Sequence, residues 1–320
     1  MQGHGKGITR VGFSPSGTYL ATAGLDRSVC IWSAATGGLL YSFNGTSSVL
    51  SLLWLPGGDE LLICGLADGN IACLDIGGDF IEANGFLAHN QPVECLAIKD
   101  EYLVSGACEE VTVWNSILNV KASKYIMYEQ IGDPSTTSQN EWQEILVTSV
   151  QWASPPEGPP LLVVTYMNHG VTLINADTWA CENTFALDGQ IASAAVSEDG
   201  TFIAISNVIR GFDIYSLSTG ILLCSLDHDI RRTIPTQVHW IHGGLAVVGG
   251  STAGQLTIWD VSHLSDHRAG DQNLGRGRVL YRLPLPEHAM SVAIAVSPTY
   301  SLVIASLFKS FRSGAFQCRG

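Results

Sequence analysis

Apolar residues along this chain fall into short runs closed by polar turns, and the runs recur. One run ends on a bulky residue just before a turn: VGFSPSG at 11–17, LLWLPGG at 52–58, LAIKDE at 96–101, VQWASPP at 150–156, AAVSEDG at 194–200, VHWIHGG at 238–244 and IAVSPTY at 294–300. Its markers, Phe13, Trp54, Ile98, Trp152, Val196, Trp240 and Val296, step by 41, 44, 54, 44, 44 and 56 residues. A second run follows about 20 residues behind the first, with markers Trp32, Leu74, Trp114, Ile174, Tyr215 and Trp259. These step by 42, 40, 60, 41 and 44, so two independent markers keep one phase.

Each unit reads as four strands, a to d. In the first unit b is Tyr19–Ala23, c is Val29–Ser33, and d is Leu39–Phe43 after the turn Ala35-Thr36-Gly37-Gly38. Short strands at spacings of about 8–12 residues indicate a sandwich or barrel, and a period near 40–45 turns that into propeller blades. The spacing predicts one all-β domain over 1–320, a seven-bladed propeller with an incomplete last blade. The blades fall at 4–45, 46–87, 88–130, 144–187, 188–227, 228–285 and 286–320, with insertions at 119–144 and 262–278. The seventh unit offers strands at Val292–Val296, Leu302–Ser306 and Ala315–Cys318 but no d strand. Met1–Gly7 is too short and Gly-rich to supply one, so the ring is expected to lack one strand, either because the chain is truncated or because a partner lends the strand.

The run His4, Phe13-Ser14-Pro15-Ser16-Gly17, Leu20-Ala21-Thr22-Ala23-Gly24-Leu25-Asp26, Val29-Cys30-Ile31-Trp32 resembles a WD repeat, and Trp259-Asp260 supplies the name-giving dipeptide in the sixth unit. The resemblance covers essentially the whole chain. It implies a hydrogen-bonded His–Ser/Thr–Asp–Trp tetrad inside a blade, carried here by His4, Thr22, Asp26 and Trp32. The third unit matches at His89, Ser105 and Trp114, with Glu109 where Asp is expected. The second keeps Asp68 but has Leu74 for Trp, and the fourth and fifth lack most of the tetrad.

Composition narrows the function. The chain has 320 residues, 46% hydrophobic and 14% charged, with 34 Gly and 12 Pro, which excludes a disordered chain. A net charge of −13 argues against nucleic acid and against an anionic membrane surface, both of which select basic faces. Eight cysteines with no CxxC spacing read as reduced, buried thiols. The first residues lack a signal-peptide apolar core, and the most apolar window, Ser291 to Phe308, is broken by Pro298 and alternates like strands. A cytoplasmic or nuclear protein without a membrane span is expected.

No chemistry-bearing motif survives the repeat frame. His242-Gly243-Gly244 and the 249–254 segment resemble hydrolase motifs, but the spacing is wrong and no helix follows. No phosphate-cradling GxxxxGK[ST] loop exists. His263, Asp266, His267 and Arg268 lie in a Gly-rich insertion where metal binding is not expected, and the Asn44-Gly45-Thr46 sequon is expected to go unused. Neither a cofactor nor a metal is expected.

What remains is surface. The b–c turns and d–a loops share the top face of a propeller, and they place Arg27, Asp68, Glu109, Glu110, His169, Arg210, Arg231 and Arg232 there as partner-binding candidates. Carboxylates dominate blades one to three and cations the opposite side, a two-sided rim that would orient a partner segment. The expected function is a monomeric, non-enzymatic scaffold holding peptides or partner domains at that face. The alternatives are a small-ligand or glycan-binding propeller and a fragment of a larger regulatory protein. Differing b–c tips count against equivalent pockets in every blade.

Overall fold

Strands b and c of each unit are apolar at nearly every position, whereas strand d alternates, and the structure explains the contrast. The computed structural model describes residues 3–77, 81–116, 125–135, 140–226, 235–250, 255–266, 275–284, 289–296 and 303–309. In blade one, strand a (Ile8–Phe13) lies innermost, followed by b (Tyr19–Gly24), c (Ser28–Ser33) and d (Leu39–Asn44) at the outer edge, all antiparallel. Five of the six residues of b are buried, while d is exposed at alternate positions. A middle strand is sandwiched between two blades, so both of its faces must be apolar. The outer strand needs only one apolar face.

Blade two is Val49–Trp54, Leu61–Leu66, Asn70–Asp75 and Glu82–Leu87; blade three is Cys95–Lys99, Tyr102–Ala107, Glu110–Ser116 and Tyr125–Ile131. Blades four, five and six repeat the pattern within 147–185, 191–226 and 238–284. Blade five carries a fifth strand, Gly275–Arg276, which comes from the second insertion and pairs parallel to Leu222–Leu226. Among the described residues of that insertion there is also a 3₁₀ turn, Ser262–Asp266, which holds His263; His267 and Arg268 lie outside the described residues.

The core sits between blades. Ala21, Val29 and Ile31 of blade one pack on Trp54, Leu62 and Leu74 of blade two. Phe212 and Ile214 of blade five pack on Val247 and Trp259 of blade six. The first-marker tryptophans also stitch neighbours by hydrogen bonds: Trp54 Nε1 donates to Gly12 O (3.0 Å) and Trp240 Nε1 to Ala195 O (2.8 Å).

Two irregularities recur. The a–b pairing slips near the start of strand a, as at Ile8/Arg10, Val49/Ser51 and Val147/Ser149. The c–d pairing slips at the second marker, at Ile31/Trp32, Val113/Trp114, Leu173/Ile174, Ile214/Tyr215 and Ile258/Trp259. Such bulges increase the local twist of a strand pair. Blade two is the exception: its c and d strands pair without a slip from Asn70↔Leu87 to Asp75↔Glu82.

The blade count corrects the sequence reading: among the described residues the ring has six blades, not seven with an incomplete last one. Beyond blade six the described residues form only an antiparallel pair, Ala289–Val296 and Val303–Lys309, set against strand a of blade one and strand a of blade six. The first marker occurs seven times but the second only six, and the count follows the second. The second marker lies on strand c, which carries half of each inter-blade face. The expected strand at Ala315–Cys318 lies outside the described residues. The idea of a partner completing a seventh blade therefore loses its premise.

Trp259 is fully buried between blades five and six. Trp259→Ala is expected to destabilise the fold by about 3–5 kcal/mol, read by urea denaturation, through lost burial and the cavity left behind. A cost of under about 1 kcal/mol would show that the inter-blade layer does not carry the fold.

Candidate interaction surface

The tops of blades one and three are each locked by a hydrogen-bonded chain running from surface to core. In blade one, Trp32 Nε1 donates to Thr22 Oγ1 (2.9 Å), which lies 2.7 Å from His4 Nε2, while His4 Nδ1 is 3.1 Å from Asp26 Oδ1. Ser28 Oγ donates to Asp26 Oδ1 (2.6 Å), and the Gly5 amide donates to its other oxygen (2.6 Å). The chain ties the b–c turn to the segment preceding strand a. Burial opposes ionisation of Asp26, but the donors Ser28, His4 and Gly5 outweigh it and hold the carboxyl far below its ordinary value. Burial likewise opposes charge on His4, and hydrogen bonding with Cys30 and Asp26 overrides it and raises the imidazole.

Blade three repeats the chain: Trp114 Nε1 donates to Ser105 Oγ (2.8 Å), and His89 Nε2 lies 2.7 Å from the same oxygen. The acid is Glu110, with Oε2 2.7 Å from His89 Nδ1; Glu109, the residue at the expected place, is exposed. Blade two has no such chain among its described residues. There Gly69, at φ +84°, accepts hydrogen bonds from the amides of Ala88 and His89 (3.1 and 3.0 Å). A Cβ at Gly69 would overlap the His89 carbonyl, so only glycine allows this approach.

The rim candidates separate in the structure. Arg27, Asp68, Glu109 and Arg210 are exposed, and Arg210 pairs with Asp188 at 3.4 Å. Glu110 is half-buried against His89. His169 is buried, and neither ring nitrogen has a hydrogen-bond partner among the described residues. The end of the first insertion holds the neighbouring turn: Asn140 Nδ2 donates to Asn168 O (3.2 Å) and Asn168 Nδ2 to Glu144 O (3.1 Å). Arg231 and Arg232 lie outside the described residues.

Sequence reasoning missed a cluster on the inner wall of the ring. Arg10, on strand a of blade one, donates from Nη1 to Thr9 O (3.0 Å) and from Nη2 to Glu94 O (3.4 Å), reaching the start of blade three. Burial pushes Glu94 upward, and the Arg10 charge opposes it. Burial and then Arg10 push His239 of blade six down to about 4, so this imidazole is neutral at pH 7. The only hint in the sequence was charge within otherwise apolar strand a segments.

Two outcomes follow for the locked tops. The Asp26 contribution is present above the ordinary carboxyl value of 3.8 and is lost as pH falls toward the depressed one; that of His4 is present below 6.5 and is lost as pH rises through the raised value. The gap in Tm between the wild type and the His4→Gln, Asp26→Asn double variant is therefore expected to be widest from about pH 4.5 to 6.5. A gap that stays flat from about pH 3 to 9 would contradict the assignment. In blade three, Glu110→Ala is expected to cost about 1–3 kcal/mol by leaving Nδ1 of buried His89 without its partner, whereas Glu109→Ala should stay within about 0.5 kcal/mol. Equal costs in thermal melts would reject Glu110 as the anchoring acid.

With this geometry in hand, similarity to known proteins is informative. The family profile "WD domain, G-beta repeat" matches residues 1–33, the segment that holds the blade-one tetrad. Telomerase protein component 1 of Rattus norvegicus is 23% identical over 277 residues, 81% of this chain but 10% of that protein. Eukaryotic translation initiation factor 3 subunit I of Lodderomyces elongisporus is 25% identical over 224 residues, 64% of this chain and 61% of that one. The chain thus spans less than two thirds of either relative. Among solved structures, "Crystal structure of RRP9 WD40 repeats" superposes with a TM-score of 0.77 at 17% identity, covering 98% of this chain and 91% of that one. "Structure of U3-55K" does so with a TM-score of 0.76 at 17% identity, covering 98% and 92%. A matched first repeat and whole-chain likeness to WD40 structures agree with the blades described above: the chain has the fold of a WD40-repeat β-propeller, and its first 33 residues match the WD-domain repeat.

Proposed function

We propose that this propeller is a non-enzymatic scaffold that holds partner peptides or domains at its top face. The observation that carries this reading is the contrast between rigid support and variable tips. Below the rim, blades one and three are locked from tryptophan to carboxylate. Above it, Arg27, Asp68 and Glu109 project as exposed side chains that differ from blade to blade. Varied charge on a fixed frame sets the orientation and register of a protein partner, whereas a repeated small-ligand pocket needs the same group in each blade. The words "component" and "subunit" in the names of the two relatives fit a chain that works inside an assembly.

The test is affinity capture from native extract, read by quantitative mass spectrometry, with the wild type beside an Arg27→Glu, Asp68→Lys, Arg210→Glu variant. Glu157→Lys, on an exposed turn at the opposite end of blade four, is the control. Proteins kept by the wild type and the control but lost by the triple variant are the expected result. Identical recovery by all three would reject the top face as the scaffold surface.

A further inference from the structure

We infer that the crevice between the top halves of blades one and two binds an extended, basic partner peptide and buries one large apolar side chain of it. The inference rests on the scaffold reading and adds the place and the chemistry of the contact. A cavity of about 240 Å³ opens there, walled by Val29 and Phe43 on one side and by Leu66, Ala72, Ala83 and Gly85 on the other.

Its origin lies in the exceptional pairing of blade two. Every other blade has a bulge between strands c and d, but blade two runs straight, Ala72↔Gly85 and Leu74↔Ala83. Of the strand d residues that share the face toward blade one, the two that line the gap are the small Ala83 and Gly85, and both are exposed. Gly85 is fixed as small, since a Cβ there would come within 2.8 Å of Ile71 O. The gap is therefore written into the backbone geometry as well as the side chains.

Three features choose the occupant. The walls are apolar, which suits an uncharged side chain of leucine or phenylalanine size. The mouth carries Asn44, Asn70 and Asn84, whose side-chain amides make no hydrogen bond among the described residues. Each can both donate and accept, which is what an extended peptide backbone needs from its neighbours. Strand d of blade two is also an edge without a further strand beside it among the described residues. This chain already adds a strand at the corresponding edge of blade five, so such edges are sterically open to one. Asp68, just before strand c at its top end, and Glu82, at the lower end of strand d opposite Asp75, are exposed at the two ends of this strand pair. They outnumber the exposed Arg27 on the blade-one side, which in a chain of net charge −13 favours lysine or arginine on either side of the apolar anchor.

The experiment uses the full chain and fluorescent synthetic peptides in which paired lysines flank a central Leu, Phe or Trp, with a Ser-centred peptide as reference. Anisotropy titrations are expected to show the apolar-centred peptides binding about tenfold or more tightly than the Ser-centred one. Ala83→Leu should erase that difference while leaving Tm unchanged or raised, because it fills the cavity from within the protein. Asn84→Ala, an exposed change, should weaken every peptide, and Asp68→Lys with Glu82→Lys should weaken them further. Equal binding of apolar- and Ser-centred peptides, or full binding by Ala83→Leu, would overturn the inference and leave the cavity as a packing gap. If extract proteins are captured equally by the wild type and Ala83→Leu, the scaffold reading survives and this site does not. If peptides bind as expected while the rim variant captures all that the wild type does, the site stands and the rim reading fails.

Discussion

The structure depends on one constraint: no blade can bury its own apolar surface. Strands b and c are covered on both faces by neighbouring blades, so Ile31, Leu62 and Leu74 reach full burial only when two blades meet. Stability is therefore a property of contacts between repeats more than of any repeat alone. The pair Ala289–Val296 and Val303–Lys309 follows from this. It lies against blades one and six, where strand a of each would otherwise lack a neighbour. The hydrogen bonds from Trp54 to Gly12 and from Trp240 to Ala195 act in the same direction, fixing the offset between consecutive blades while the side chains fill the layer.

Rigidity is not spread evenly around the ring. Blades one and three are each braced from tryptophan to carboxylate, and blade two stands between them without a brace of that kind. Blade two also has the unslipped c–d pairing and the small residues on strand d. The gap has blade one as its braced wall, and blade two, its other wall, is packed on its far side against braced blade three. In blade four the place of the tryptophan is taken by Ile174, and the top is held instead by the bonds linking Asn168 to Asn140 and Glu144. The same fold thus fastens its upper rim by different local means.

The sequence made the strands legible because their period is local: the observed b, c and d of blade one lie within one residue of the expected limits. The blade number was not legible from the more frequent marker, since Val296 ends a strand that, among the described residues, belongs to a two-stranded pair and not to a four-stranded blade. Glu110 was missed for a geometric reason. The b–c turn of blade three has only Cys108 and Glu109 between strands, against Leu25, Asp26 and Arg27 in blade one. The shorter turn moves the acid one residue toward strand c, and the longer side chain of Glu makes up the distance. Burial of His169 could not be read locally either, because its turn is held by residues of an insertion some 25 positions earlier.

Charge is arranged differently at the centre of the ring. Exposed carboxylates at the rim are screened by water and salt, so they act mainly on orientation and encounter. On the channel wall Arg10 is held by two backbone carbonyls and shares its surroundings with Glu94 and His239. Its field opposes the rise of the Glu94 carboxyl and adds to the fall of the His239 imidazole. Burial is the larger influence on both groups, and one cation modulates it in two other blades, against burial at Glu94 and with it at His239. Since each blade contributes a different residue to strand a, this cluster cannot arise from the repeat itself. It arises from ring closure, which brings positions 10, 94 and 239 together. The same inter-blade packing that makes the fold stable is thus what creates a polar centre that no single repeat encodes.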